Sequence, residues 1–267
     1  MKKVAWLTDL HLEFADDYAS FKSLCSQLHK IRPDAILIGG DTGLSYSFDD
    51  YIQSVADKLN RPVYFVLGNH DCYHGSIAKT KKAAVRLDER SRLVRYLTVS
   101  GVVELTPYSA LVGHDGWADG RLGLGRSSPV ELNDYRLIEE FVGLGLEARF
   151  DLLNQLGDRA SEELKQSLVA ALDRYKDVIV LTHVPPFRES CWHEGRFSDD
   201  AFLPHFSSKA MGEMLAEVAR AYPDRNLKVL CGHTHGAGES QIASNLVVKT
   251  GGAEYGRPAV QELVLVK

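Results

Sequence analysis

Five short apolar runs in this chain each lead into a compact block of polar residues, and that pairing constrains the fold more than any other feature. The runs are Val4-Ala5-Trp6-Leu7, Ala35-Ile36-Leu37-Ile38, Val63-Tyr64-Phe65-Val66-Leu67, Val178-Ile179-Val180-Leu181 and Leu227-Lys228-Val229-Leu230-Cys231. The blocks that follow them are Asp9-Leu10-His11, Gly40-Asp41, Gly68-Asn69-His70-Asp71, Thr182-His183 and Gly232-His233-Thr234-His235. Runs this short, rich in β-branched residues and bounded by glycine or polar residues, read as buried strands. In an open α/β sheet, ligands bind beyond the carboxyl ends of the strands. The sequence therefore gathers imidazoles and carboxylates along one sheet edge, the layout of a metal site and, by its number of donors, of a two-metal site.

With 267 residues the chain can bury a sizeable core, and α/β folds of this length commonly form one domain. The net charge of -5 argues against a dedicated nucleic-acid binder, which carries a basic excess or stripe. Small anionic substrates stay open, because bound cations reverse the local potential. Cys25, Cys72, Cys191 and Cys231 are widely spaced with no C-x-x-C pair, so free thiols are expected rather than a zinc cluster or disulfide framework. Only four apolar residues follow Met1-Lys2-Lys3 before Thr8, too few for a signal segment, and no stretch reaches membrane-spanning length. A soluble, cytoplasmic protein is the expectation.

Along the chain, Tyr18, Phe21, Leu24, Cys25 and Leu28 recur at helical spacing and predict a helix over 17–31. Further helices are expected at 48–59, 77–96 and 207–221, and strands at 34–38, 62–67, 246–249 and 260–266. Val102, Val103 and Leu105, then Ala110-Leu111-Val112, predict a hairpin over 102–113. The stretch 115–157 is Gly-rich and then helical, without a strand signal, and is the candidate cap or insertion in a single domain spanning 1–267. Ser161 with Glu162 and Glu163 reads as a helix start, with Leu164, Leu168, Ala171, Leu172 and Tyr175 as the apolar face.

Mixed carboxylate and imidazole donors suit Mn, Fe, Ni or Zn rather than calcium. Residues at i and i+2 leaving a strand can reach one ion, which accounts for Asp9 with His11 and His233 with His235. In content and order the five blocks resemble the calcineurin-like metallophosphoesterase family, whose pattern is D-x-H, GD, GNH(D/E), a lone H and GHxH. That resemblance runs from residue 9 to residue 235. It implies an α/β sandwich of two mixed sheets flanked by helices. It implies one metal held by Asp9, His11 and His235, a second by Asn69, His183 and His233, and Asp41 bridging them. His70 would stand over the phosphate as a general acid, oriented by Asp71. Thr42-Gly43-Leu44 follows Asp41 where the protein-phosphatase branch carries an Asp-Arg-Gly element, which counts against a phosphoprotein substrate.

Two cations about 3.5–4 Å apart lower the pKa of a shared water enough to give hydroxide near neutral pH. The resemblance thus implies hydrolysis of a small phosphomonoester or phosphodiester, a nucleotide among the options, by a metal-bound hydroxide. Competing readings are a nuclease, a binding or scaffold protein that keeps the fold without catalysis, and an interaction role for the basic helix or the cap. Outside the blocks, His74, His114, Arg121, Trp192 and His193 are candidate substrate contacts, each with an ordinary structural alternative. The basic residues Lys79, Lys81, Lys82, Arg86, Arg90, Arg92 and Arg95 read as a solvated face by default. A homodimer is a further expectation, resting only on the apolar helices of the candidate cap.

Overall fold

The computed structural model describes residues 1–14 and 19–267. Thirteen strands are present among them. They are β1 (Lys2–Leu7), β2 (Ala35–Gly39), β3 (Val63–Val66), β4 (Val94–Tyr96), β5 (Val103–Thr106), β6 (Ser109–His114) and β7 (Asp177–Thr182), then β8 (Trp192–His193), β9 (Arg196–Phe197), β10 (Asn226–Cys231), β11 (Gly238–Ala243), β12 (Leu246–Thr250) and β13 (Glu262–Val266). The helices are α1 (Ala19–Ile31), α2 (Phe48–Leu59), α3 (Ile77–Arg90), α4 (Leu97–Ser100), α5 (Asp134–Leu137), α6 (Leu146–Leu172), α7 (Leu203–Phe206) and α8 (Lys209–Ala221).

The strands form two mixed sheets, ordered β13-β1-β2-β3-β4 and β11-β12-β10-β7-β6-β5, with β8 and β9 pairing separately. In the first sheet β1 to β4 run parallel and β13 is antiparallel to β1. In the second, β6, β7, β10 and β12 run parallel. The alternation along a strand explains why the sheets stack. Val4 and Trp6 of β1 join Leu37, Val66, Ile179, Leu181 and Leu230 in an apolar layer between the sheets. Ala5 and Leu7 point the other way and pack with Phe21, Leu24, Ile52 and Val55 of α1 and α2. Behind the second sheet, Val178, Val180 and Val229 meet Leu164, Leu168, Met211 and Leu215 of α6 and α8. Both faces of the central strands are covered, which is why they read as continuous apolar runs rather than alternating ones.

The two-sheet sandwich expected from the resemblance is thus the observed fold, and most elements lie where the sequence puts them. Tyr18 lies outside the described residues; Phe21, Leu24, Cys25 and Leu28 are the buried face of α1. Two expectations are corrected, and one strand was not foreseen. The helix predicted over 77–96 stops at Arg90, and Val94–Tyr96 instead adds an edge strand to the first sheet, where Tyr96 stacks on Phe65. Ser161 does not start a helix: α6 begins at Leu146, and the Ser161 hydroxyl donates within the helix packing to the Ala210 carbonyl. The hairpin strand β11 carried no apolar signal, since its sequence is GESQIA.

The 115–157 stretch holds α5 and the first turns of α6. Its Trp117, Tyr135, Ile138, Phe141 and Phe150 pack with Tyr73 and Ile77 in a separate apolar cluster. The Glu140 carboxylate accepts from the backbone N–H of Ile77 and Ala78 at 2.9 and 3.1 Å, satisfying the first turn of α3. Four of the seven basic residues of α3 and the segment after it form ion pairs, Lys79–Glu139, Lys81–Asp115, Arg90–Asp49 and Arg95–Asp88. All four cysteines are free and buried. No helix among the described residues is long and apolar enough to cross a membrane.

Leu168 is fully buried at the centre of the α6 contact with the second sheet. Leu168→Ala is expected to cost about 2–5 kcal/mol. Lys165→Ala, which removes only the exposed pair with Glu217, is expected to cost under about 1 kcal/mol. Urea unfolding midpoints at constant m-value check both.

Candidate metal centre

The loops after β1, β2, β3, β7 and β10 emerge at one edge of the sandwich, and their backbones share an unusual property. Asp9, His11, Asp41, His233 and His235 all have positive φ, between 43 and 71°. Left-handed backbone turns the chain sharply at the strand end and aims successive side chains back over the edge. Asp, Asn and His tolerate it better than other residues with a Cβ. The loops are tied together by their own backbone: Asp9 N–H donates to Gly40 O, His11 N–H to Asp41 O, and Gly232 N–H to His183 O. Glycines in the blocks are there for space. A Cβ on Gly68 would collide with the Asp41 carboxylate, and one on Gly232 with that of Asp9.

Two groups of donor atoms from the blocks result, each within 4.8 Å of one another: those of Asp9, His11, Asp41 and His235, and those of Asp41, His183 and His233; a third such group, of His11, Glu13 and His70, adjoins them. Asp41 belongs to both. The hydrogen bonds around the rings fix which nitrogen faces inward. His183 donates Nδ1–H to Gly39 O at 2.9 Å, so its Nε2 faces the Asn69 Oδ1 at 3.1 Å and Asp41 Oδ2 at 3.4 Å. His233 donates Nε2–H to His205 O at 3.1 Å, leaving Nδ1 3.0 Å from the same Asn69 oxygen. Asn69 in turn gives its amide N–H to Asp134 Oδ1 at 2.8 Å, which settles that its oxygen points inward. In the other group, His11 turns Nδ1 to Glu13 at 3.4 Å and Nε2 to His235 Nε2 at 3.0 Å.

Neutral His183 and His233 rings would turn lone pairs toward the Asn69 and Asp41 oxygens, a contact that a proton or a shared cation relieves. Carboxylates, imidazoles and an amide oxygen turned toward one space are a donor set that fits a pair of metal ions. Protonation follows the same logic with protein atoms alone. Burial opposes a charge on His183, but the Asp41 carboxylate beside it raises its pKa to about 10. Burial and the positive charge of His183 lower His233 to about 4, against the pull of Asp41.

Beside the cluster, His70 stacks on Tyr73 with ring centroids 4.2 Å apart, and its Nδ1 lies 3.3 Å from Glu13 Oε1. Burial works against a charged His70 ring, but Asp41 and Glu13 outweigh it and its pKa is raised above 6.5. Burial likewise opposes the charge on Glu13, yet hydrogen bonds from His11 and His70 bring it down to about 2. The expectation that Asp71 orients His70 is corrected. The Asp71 carboxylate accepts from the backbone N–H of Asp41, Thr42, Gly43 and Gly68 at 2.8–3.1 Å, so its lone pairs are committed to the loops. Glu13 is the carboxylate that meets the His70 ring.

The pocket above the cluster has a volume of about 300 Å³ and is lined by Asp41, Asn69, His70, His233 and His235 together with Tyr73, Asp134, His193 and Tyr255. His193 is the one outlying candidate that the structure brings to it. Trp192 is turned away, packed on Phe197 at 4.4 Å and donating its indole N–H to Ser240. His114 donates to Glu163 at 2.9 Å and accepts from Gly116 N–H, serving the turn after β6. Arg121 is held by Asp158 through two bonds of 2.6 and 2.7 Å. His74 is exposed on a left-handed turn and does not line the pocket. Sequence reasoning missed Glu13, Asp134 and Tyr255. Only Glu13 carried a signal, sitting two residues beyond His11 as His11 sits beyond Asp9.

Fold and donor cluster together present a candidate metal site at the edge of a two-sheet sandwich. The chain belongs to the calcineurin-like phosphoesterase family, whose sequence model matches residues 2–237. Among solved structures it is similar to the phosphopantetheinyl hydrolase of Mycobacterium tuberculosis, at 17% identity and a TM-score of 0.65, covering 96% of this chain and 90% of that one. It is also similar to a dimetal phosphatase from Danio rerio, at 17% identity and a TM-score of 0.58, covering 93% and 86%. The TT1561 protein of Thermus thermophilus shares the fold at 15% identity and a TM-score of 0.54, covering 94% and 89%. No protein of curated function matches by sequence.

Gly232→Ala is expected to push Asp9 from its place and cut bound metal to less than half, read by elemental analysis of the refolded, metal-loaded protein. A second expectation concerns His205, whose backbone oxygen holds His233. Burial and the charge of Arg149 lower the His205 pKa to about 4, and the Tyr135 hydroxyl donates to its Nδ1. With a folded pKa below the unfolded value of about 6.5, the unfolded state binds more protons between the two. Stability is then full above pH 6.5 and falls as pH drops toward 4, by at most about 3 kcal/mol. Denaturation midpoints at pH 7 and 5 should show this drop, and His205→Gln should flatten it.

Proposed function

We propose that the protein hydrolyses a small phosphoester using two transition-metal ions. Asp9, His11 and His235 hold one, Asn69, His183 and His233 hold the other, and Asp41 serves both. The observation that carries this reading is the convergence of inward-facing lone pairs on either side of Asp41, with a protonatable imidazole next to them. The bound ions supply Lewis acidity, activating a water and neutralising phosphoryl charge. Mn, Fe, Zn and Ni all suit the donor set.

The residues of the chain do the rest. His70, paired through Nδ1 with Glu13, keeps Nε2 as the nitrogen that can hand a proton to the departing oxygen. Glu13 favours the charged ring that this step requires, and stacking on Tyr73 holds the ring's plane. Asn69 is kept from turning by Asp134, which also accepts from the Tyr73 hydroxyl at 2.6 Å. Thus one buried carboxylate steadies both a metal donor and the residue that His70 rests on. Among the described residues no lysine or arginine lines the pocket, so phosphate charge falls to the ions and His70. The absence of a basic wall and the volume of about 300 Å³ support a small substrate over a nucleic acid.

The test is a leaving-group comparison on manganese-reconstituted protein. His70→Ala should keep its metal yet lose about 10²–10⁴ in kcat on an alkyl phosphate ester, and far less on the p-nitrophenyl ester, whose leaving group needs no proton. Asp41→Asn should lose metal and turnover together. An equal loss of both substrates in His70→Ala would remove His70 from the acid role. No turnover of phosphomonoesters or phosphodiesters by the metal-loaded protein would favour the binding-protein alternative.

A further inference from the structure

Tyr255 lines the pocket above the donor cluster, and the chemistry described so far does not use it. Its ring packs on both imidazoles of the first donor group, with centroids 4.7 Å from His11 and 5.1 Å from His235. Phe14 supports the ring at 4.8 Å, and His70 lies farther off, at 6.4 Å.

The loop that carries Tyr255 is fastened on both sides of it. Gly251 N–H donates to Cys231 O and Ala253 N–H to His235 O, which ties the approach to the Gly232–His235 block. Gln261 clasps Gly252, accepting its N–H at 2.9 Å and donating to its carbonyl at 2.7 Å. Just beyond, Gly256 turns with a φ of 76°, and its carbonyl accepts from the Ser20 hydroxyl at 2.9 Å. The side chain is therefore placed by its backbone and its ring, without its hydroxyl. That hydroxyl has no hydrogen-bond partner among the described residues, and the residue is 51% exposed.

Most other donors around the pocket are already spent. Asn69 and Tyr73 give theirs to Asp134, His193 gives Nδ1–H to Thr234 O, and His233 gives Nε2–H to His205 O. The Thr234 hydroxyl is buried away from the space. Of the pocket's donors still free, only those of His70 and Tyr255 sit on rings packed against metal-donor candidates, among the described residues.

We propose that Tyr255 is a substrate-binding residue whose phenol donates to a non-bridging phosphoryl oxygen on the side of the first ion. The inference rests on the phosphoesterase reading of the site. Ring geometry decides which oxygen is met: Tyr255 rests on His11 and His235, whereas the leaving oxygen belongs beside the more distant His70. No lysine or arginine among the described residues lines the pocket, so a hydrogen bond to a charged phosphoryl oxygen has few competitors. A neutral phenol makes such a bond strongly, because its acceptor is ionised, and adds no charge to repel the ions.

Tyr255→Phe deletes the oxygen and leaves the ring contacts in place. Calorimetric titration of manganese-loaded protein with inorganic phosphate reads the contact without turnover. Binding should weaken about tenfold in Tyr255→Phe, with two ions still bound by elemental analysis. The kcat/KM values should fall by the same factor for an alkyl phosphate ester and its p-nitrophenyl counterpart, since both share the phosphoryl group. Tyr255→Leu, which also removes the ring, should bind phosphate no more tightly than Tyr255→Phe. Unchanged phosphate affinity and unchanged kcat/KM in Tyr255→Phe would overturn the assignment. So would a fall confined to the alkyl ester, which moves the hydroxyl to the leaving oxygen, or a loss of metal along with phosphate, which makes it a metal donor. If the unsubstituted protein binds phosphate but hydrolyses no ester, the phosphoesterase reading fails alone, and the phosphate comparison still decides the contact.

Discussion

One buried carboxylate braces the whole catalytic edge. Asp71 accepts four backbone N–H groups, three from the loop after β2 and one from the loop after β3. Each of those N–H groups would otherwise be buried without a partner, a cost of about 1–3 kcal/mol apiece. Because the acceptor is a single rigid group, the two loops cannot shift independently. Asp41 and Asn69 are thereby held at a fixed separation, and with them the point where the two donor groups meet. The charge that Asp71 would bring next to Asp41 is resisted by burial and by Asp41 itself, which together push its pKa up to about 7. The residue that follows His70 in sequence is thus occupied with architecture.

A second constraint is backbone strain. Five of the nine non-glycine residues with positive φ among those described are metal-donor candidates. A residue in that region costs on the order of 1–3 kcal/mol unless its surroundings enforce it. Here the enforcement is visible in the cross-loop hydrogen bonds and in His233 N–H donating to Asp9 Oδ1 at 2.8 Å. The chemistry and the conformation select the same residue types, since aspartate and histidine are both good donors and among the better occupants of left-handed backbone. This overlap is one reason the blocks stand out so clearly.

What the sequence made legible follows from the same point. Strand ends followed by Asp, His and Gly marked the edge and the candidate donors, because each sits a few residues past an apolar run, while the two-sheet sandwich came from the family resemblance that those blocks carry. Residues that reach the site by another route left no such mark. Asp134 arrives from a strandless stretch, and its approach to Asn69 depends on how α5 packs over Tyr73, a long-range matter. Tyr255 comes from the loop before β13 and meets His11 with ring centroids 4.7 Å apart, again without a local pattern. The start of α6 was misjudged because Ser161-Glu162-Glu163 imitates a cap, while the real start follows Gly145 with no capping side chain. The edge strand β4 was swallowed by the helix before it because Arg92 and Arg95 continue the helix's charge pattern.

The donors come from both sheets, and that division has a consequence for the molecule as a whole. Asp9, His11, Asp41, Asn69 and His70 follow strands of the first sheet, while His183, His233 and His235 follow strands of the second. Between the sheets lies the apolar layer of Trp6, Leu37, Val66, Leu181 and their neighbours, to which β13 contributes Val264 and Val266 as it closes the first sheet beside β1. Neither half carries a complete set of ligands. The candidate metal centre would therefore depend on sandwich closure: its donors meet only while the apolar seam holds the two sheets in register.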